Sequence, residues 1–176
     1  MNLVAVDAGR AETKVVTVNG EPFSFPSRVA RYFKPKGFNP LQEKTDLVLK
    51  VGADGDRYFI GGVVERVKRA GKGRQKQENK ANQNTLLLTL AALSLACTGD
   101  RVKVVTGLPL HRFNESDRKE IKDLLTGTFD VYAATRHTPE EDVDTGRLPH
   151  RRFTIEEVIV TVEGAGAFFA HPRPGL

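Results

Sequence analysis

Apolar and polar positions divide the chain into short periodic stretches. Residues 3–6 form an apolar run, residues 14–18 are rich in β-branched side chains, and residues 22–25 carry a third apolar stretch. Each reads as a strand. Asn19-Gly20 separates the second from the third, and Asn-Gly favours the tight turns that join antiparallel neighbours. The pattern therefore predicts an antiparallel meander. Pro26, Pro35, Gly37 and Pro40 interrupt residues 26–46, which read as a long excursion. Residues 47–51 and 57–60 predict another hairpin, joined through Asp54-Gly55, and Gly61-Gly62 ends the sheet character.

The period then changes. From residue 77 to residue 97, Leu86, Leu87, Leu90, Leu93, Ala96 and Cys97 make a broad apolar face, which predicts a core helix. Thr98-Gly99-Asp100 stops it, and the β-branched stretch 102–106 leads into Gly107-Leu108-Pro109. Asn114-Glu115-Ser116-Asp117 caps a second helix with Ile121, Leu124 and Leu125 on its apolar side, closed by Gly127. Residues 129–132 predict one more strand, 138–152 a charged surface excursion, and 153–162 an alternating strand. Gly164-Ala165-Gly166-Ala167 allows a tight strand-to-helix junction. A strand that follows a helix needs a crossover, so 102–106 and 153–162 are expected to run parallel to the first strand.

Composition narrows the class. With 176 residues, 39% hydrophobic and 28% charged, the chain has the makeup of one globular domain. Its longest nearly apolar run, residues 86–97, falls well short of the ~20 needed to span a bilayer. No charged segment precedes an apolar leader, and the single cysteine, Cys97, supports no internal disulfide, so a cytoplasmic location is expected. Between residues 65 and 80, seven Lys and Arg face two Glu, which accounts for the whole net charge of +5. Such a stretch can attract DNA or an acidic partner, but without interleaved aromatic residues it equally fits a solvated connection.

The candidate chemistry sits in the first turn. Asp7 closes the first strand, Gly9 follows two residues on, and Thr13-Lys14 opens the second. A glycine-containing turn can aim backbone N–H groups at phosphate. A carboxylate beside it can hold hydrated Mg2+, and Lys14 adds positive charge. Taken alone, the motif also fits a plain turn with a capping Asp. His111, His137, His150 and His171 lie in separate segments, and no Cys-x-x-Cys occurs, so no structural zinc is expected. No hydrolase triad or dinucleotide fingerprint is legible either.

Taken together, residues 4–14 (Val-Ala-Val-Asp-Ala-Gly-Arg-Ala-Glu-Thr-Lys), Phe25-Pro26-Ser27, residues 58–62, Val104-Val105-Thr106-Gly107-Leu108-Pro109 and Val162-Glu163-Gly164-Ala165-Gly166-Ala167-Phe168 resemble the actin, sugar-kinase and heat-shock-chaperone superfamily. Within it, the chain is similar to the ParM-type actin-like ATPases of plasmid segregation. The resemblance implies a ribonuclease-H-like α/β fold, with a mixed five-stranded sheet, flanking helices and a small inserted subdomain around residues 30–75. It covers the first of two domains, the second having no counterpart before Leu176. It implies ATP and Mg2+ as cofactors, with Asp7, Gly9, Arg10, Thr13 and Lys14 on the phosphates, Asp7 holding the metal through water, and Glu163 orienting the attacking water. It also implies self-association into filaments and a DNA-bound adaptor as partners.

Arg10 and Glu12 depart from the small or neutral residues usual in this loop, and Glu12 is expected to point outward. A complete protein would hydrolyse ATP, whereas this chain, holding one wall of the cleft, is expected to be nearly inactive alone. Two other readings stay open: a non-enzymatic actin-like module that binds a protein or DNA through residues 65–80, and a sugar or acetate kinase.

Overall fold

The computed structural model describes residues 2–18, 20–35, 39–68 and 82–163, with the backbone alone at Lys68. The chain opens with β1 (Asn2–Ala8), β2 (Glu12–Thr17) and β3 (Phe23–Pro26), followed by β4 (Val29–Arg31), β5 (Leu47–Val51) and β6 (Arg57–Ile60). Next come α1 (Val63–Lys68), α2 (Gln83–Ala96), β7 (Arg101–Leu108) and α3 (Glu115–Leu125). The last elements are β8 (Gly127–Ala134), α4 (Glu140–Thr145) and β9 (His150–Val162).

All nine strands form one mixed sheet in the order β3-β2-β1-β7-β9-β8-β5-β6-β4. The antiparallel meander is present, and β1, β7 and β9 run parallel. The expected five strands lie side by side at one end, so the count of five is corrected to nine by the four strands beyond β9. The length of β9 makes this extension possible. Its residues 154–162 pair with β7, while residues 150–155 pair with β8.

Three local expectations also change. The excursion over residues 26–46 contains β4, too short at three residues to show alternation, together with the buried Leu41 and Asp46. The charged stretch 138–152 contains α4 and the start of β9, and it buries Val143 and Leu148. The second helix ends at Leu125, and Gly127, with φ 142°, opens β8 instead of closing that helix. Within the described residues the core helix starts at Gln83, where the Asn82 side chain accepts a hydrogen bond from the Thr85 amide at 3.0 Å. Residues 77–81, Asn19 and the Gly164–Ala167 junction lie outside the described residues.

Period-two alternation sends Val4, Val6 and Ala8 of β1, Val15 of β2, and Val102 and Val104 of β7 to one face, called inner here. There they pack with Leu88, Leu90 and Leu93 of α2 and with Ile121 and Leu125 of α3 in the main core. A second core forms on the outer face at the opposite end of the sheet. Val48 of β5, Phe59 of β6 and Ala134 of β8 meet Val63, Val64 and Val67 of α1 and Val143 of α4. Asp46, fully buried, ties this end together. It accepts from the amides of Gln42, Glu43 and Val63 and pairs with Arg66. One carboxylate thus satisfies the start of α1 and the loop before β5.

Candidate functional site

The outer face over β2, β1, β7 and β9 carries a different set of side chains. Registers place Val16 opposite Ala5, Ala5 opposite Val105 and Val105 opposite Ile159, an aliphatic row across four strands. Leu3, Val16 and Ile159 are each more than 40% exposed. The next row toward the carboxyl ends of the parallel strands holds Lys14 opposite Asp7, and Gly107 opposite Thr161. Extending the β1–β7 register by two residues sets Asp7 beside Gly107. Asp7 and Thr161 thus flank Gly107, one on each neighbouring strand, separated by about 10 Å across two strand spacings. In open α/β sheets, ligands bind outside the carboxyl ends of the parallel strands.

Glu163 lies just past β9, where its amide donates to the Leu108 carbonyl at 2.8 Å. A Cβ built on Gly107 would stand 3.0 Å from the Cγ of Glu163, so the Glu163 side chain lies over β7. Asp7 and Glu163, far apart in sequence, are thus brought to one face of the sheet, at the carboxyl ends of its parallel strands.

The turn between β1 and β2 is tight. The Gly9 amide donates to the carbonyls of Asp7 and Glu12 at 2.9 and 3.1 Å, and a Cβ on Gly9 would meet the Glu12 carbonyl at 2.8 Å. Glycine is needed there for close approach, and its own N–H is already engaged. The amides of Arg10 and Ala11 donate no hydrogen bond within the described chain, so the turn presents these two N–H groups. Arg10 and Glu12 are exposed. Thr13 behaves differently from the expectation. It is fully buried on the inner face, and its hydroxyl is bonded to that of Ser27 at 2.8 Å, which leaves only its backbone for a ligand.

Among the described residues, no group of three or more His, Cys, Asp or Glu is placed to grip a metal ion by itself. Mg2+ with a polyphosphate does not need such a cage, since one or two carboxylates and water suffice when phosphate oxygens fill the rest of the shell. Asp7 fits that mode. The sequence alone does not single out Gly107 as a site residue or pair it with Glu163, because their proximity arises from the β7–β9 register.

Of the basic segment, Arg66 is committed to Asp46 and the Pro40 carbonyl, and Glu65 pairs with Arg28. Residues 69–80 lie outside the described residues. Cys97 is buried, and burial pushes its thiol pKa up despite the opposing effect of Arg151. His150 bonds Asp130 at 2.8 Å and stacks on Tyr132, so it is engaged within the surface of β8 and β9. No described helix is long and apolar enough to cross a membrane.

Compared with known proteins, residues 5–166 match the family described as actin-like proteins, N-terminal domain. The chain belongs to this actin-like family. Its fold is shared with Ta0583, an archaeal actin homolog, at a TM-score of 0.68 and 23% identity over 96% of this chain and 47% of that one. It is likewise similar to a ParM filament subunit from Clostridium botulinum, with a TM-score of 0.71 and 19% identity over 96% of this chain and 49% of that one. The pSK41 ParM protein gives a TM-score of 0.68 at 17% identity, over 94% of this chain and 50% of that one. No curated protein matches the chain. The actin-like chain therefore spans about half the length of these solved structures.

Proposed function

We propose that the chain is the first of two domains of an actin-like protein that binds ATP with Mg2+, assembles into filaments and hydrolyses the nucleotide. The carrying observation is the convergence of Asp7, Lys14 and Glu163 at the carboxyl ends of the parallel strands, on the outer face that no described helix covers. The structure of the archaeal homolog in complex with ADP and the filament structure of the ParM relative support this reading. The ParM likeness further points to DNA segregation through a DNA-bound adaptor, in the cytoplasm. Within this reading, the inserted subdomain expected around residues 30–75 takes in β4, β5, β6 and α1, and residues 36–38 and 69–75 lie outside the described residues.

Each residue has a role that follows from its place. Asp7 holds the hydrated cation, and Lys14, directly opposite, offsets phosphate charge. The amides of Arg10 and Ala11 donate to phosphate oxygens, a role that the engaged Gly9 amide cannot fill. The Glu163 carboxylate accepts a hydrogen bond from water and holds it for attack. When bound, the Mg-nucleotide would supply the scissile phosphoanhydride, with the negative charge of its phosphoryl oxygens shielded by the cation. Thr13 positions the turn by anchoring β2 to Ser27.

The test uses the complete protein that carries this chain: phosphate release and pelleting of polymer, with ATP, with ADP and without nucleotide. Mg-ATP-dependent polymer with phosphate release is the expected result. Absence of both, together with no ATP binding by calorimetry, would refute the proposal.

A further inference from the structure

Gly107 occupies the outer row of β7, where the preceding outward positions carry Lys103 and Val105. Glycine inside a strand weakens it and often marks a site where another group approaches closely. The Gly107 φ lies outside the left-handed region, so any residue could adopt its backbone. The requirement is therefore one of space. A Cβ at this position would lie 3.0 Å from the Cγ of Glu163, 3.4 Å from its Cα and 3.5 Å from its amide nitrogen. The last two distances are ordinary contacts. The first is tighter than most carbon contacts, whose optimum is about 3.5–4.0 Å, so the Glu163 stem would have to give by a few tenths of an ångström.

We propose that Gly107 is a positioning residue for Glu163: its bare α-carbon is the seat on which the Glu163 side chain lies, holding the carboxylate stem over β7. A side chain at 107 would fill that seat and push the Glu163 stem away, leaving the Glu163–Leu108 backbone hydrogen bond and the β7–β9 ladder in place. The functional consequence rests on the nucleotide reading above. The steric coupling does not.

The experiment is a double-mutant cycle with two readouts. In the first, wild type, Gly107→Ala, Glu163→Ala and the double variant of this chain are melted without nucleotide. The quantity read is the difference between backgrounds: Gly107→Ala should be less favourable in wild type than in Glu163→Ala by about 1 kcal/mol, a gap of ~2–4 °C in Tm at this size. In the Glu163→Ala background Cγ is gone, and Ala is otherwise better than Gly in a strand. An equal effect in both backgrounds would overturn the proposal.

The second readout is steady-state ATP hydrolysis by the complete protein. Gly107→Ala should lower kcat about tenfold, the scale on which a misplaced catalytic group is felt, with KM near that of wild type and no further loss when Glu163 is already Ala. A raised KM with kcat intact would contradict the assignment. Should wild type prove inert toward ATP, the nucleotide reading fails, and the thermal cycle still decides whether Gly107 seats Glu163.

Discussion

The outer face of the sheet has two halves that differ in how they are finished. Over β5, β6 and β8, Val48, Phe59 and Ala134 are capped by α1 and α4, and the buried Asp46 seals the edge. Over β2, β1, β7 and β9 the same alternation sets Val16, Ala5, Val105 and Ile159 in a row with no described helix above it. Beyond that row, toward the carboxyl ends, stand Lys14, Asp7, Gly107, Thr161 and Glu163. The contrast separates architecture from chemistry: where α1 and α4 close the face, Asp46 is consumed in structural bonds, and where no described helix covers it, Lys14, Asp7 and Glu163 gather at the strand ends.

If that division is right, stability should depend on the closed half far more than on the open one. Phe59→Ala, which removes a fully buried ring packed on Tyr32 and Phe33, is expected to cost ~3–5 kcal/mol in chemical denaturation. Asp46→Ala should cost about 3 kcal/mol, because it strands the Arg66 guanidinium and three amides. Thr13→Val, which breaks the hydroxyl pair with Ser27 beneath the turn, should cost about 1 kcal/mol. Ile159→Thr, on the open row, should stay within about 0.5 kcal/mol in this chain. A loss at Ile159 as large as that at Phe59 would erase the distinction between the halves.

The smallest effect is electrostatic. Asp144, beside the second core, is held below the ordinary carboxylate pKa by hydrogen bonding to Lys34, with a further hydrogen bond from Tyr32 and the charges of Lys34 and Arg57, against opposing desolvation. Its contribution is complete above the unfolded carboxylate value of 3.8 and is lost as pH falls through the depressed folded value. Asp144→Asn should therefore flatten the acid limb of the stability profile and leave stability near pH 10 dependent on the remaining groups. An unchanged acid limb would show that the pair is too solvated to matter.

Legibility in the sequence follows the same division. The inner face announces itself through alternation in β1 and β7 and through the apolar run of α2, which is buried all round from Leu87 to Leu93, so the meander and the parallel strands could be read directly. The second core could not. Its members are scattered from Leu41 to Leu148, and Asp46 gives no local sign that four groups will converge on it. At the site, Asp7 and Lys14 are visible as a strand-end carboxylate and its cross-strand cation. The inward turn of Thr13 follows from its alternation with the outward Lys14, and its bond to Ser27 appears only once β2 and β3 are paired. The engagement of Gly9 depends on turn geometry, and the seat at Gly107 exists only once the β7–β9 register is set.

The central claim is that Asp7 and Glu163 serve one nucleotide from opposite sides of Gly107, with different duties. It is tested most directly in the complete protein by measuring Mg-ATP affinity and single-turnover hydrolysis for Asp7→Ala and Glu163→Ala side by side. The account predicts that Asp7→Ala weakens binding at least about tenfold, because it serves the cation in the ground state. Glu163→Ala should bind within about threefold of wild type while hydrolysing about 100-fold more slowly, because water is activated only as the reaction proceeds. Equal losses of binding in both variants, or normal hydrolysis in Glu163→Ala, would contradict it.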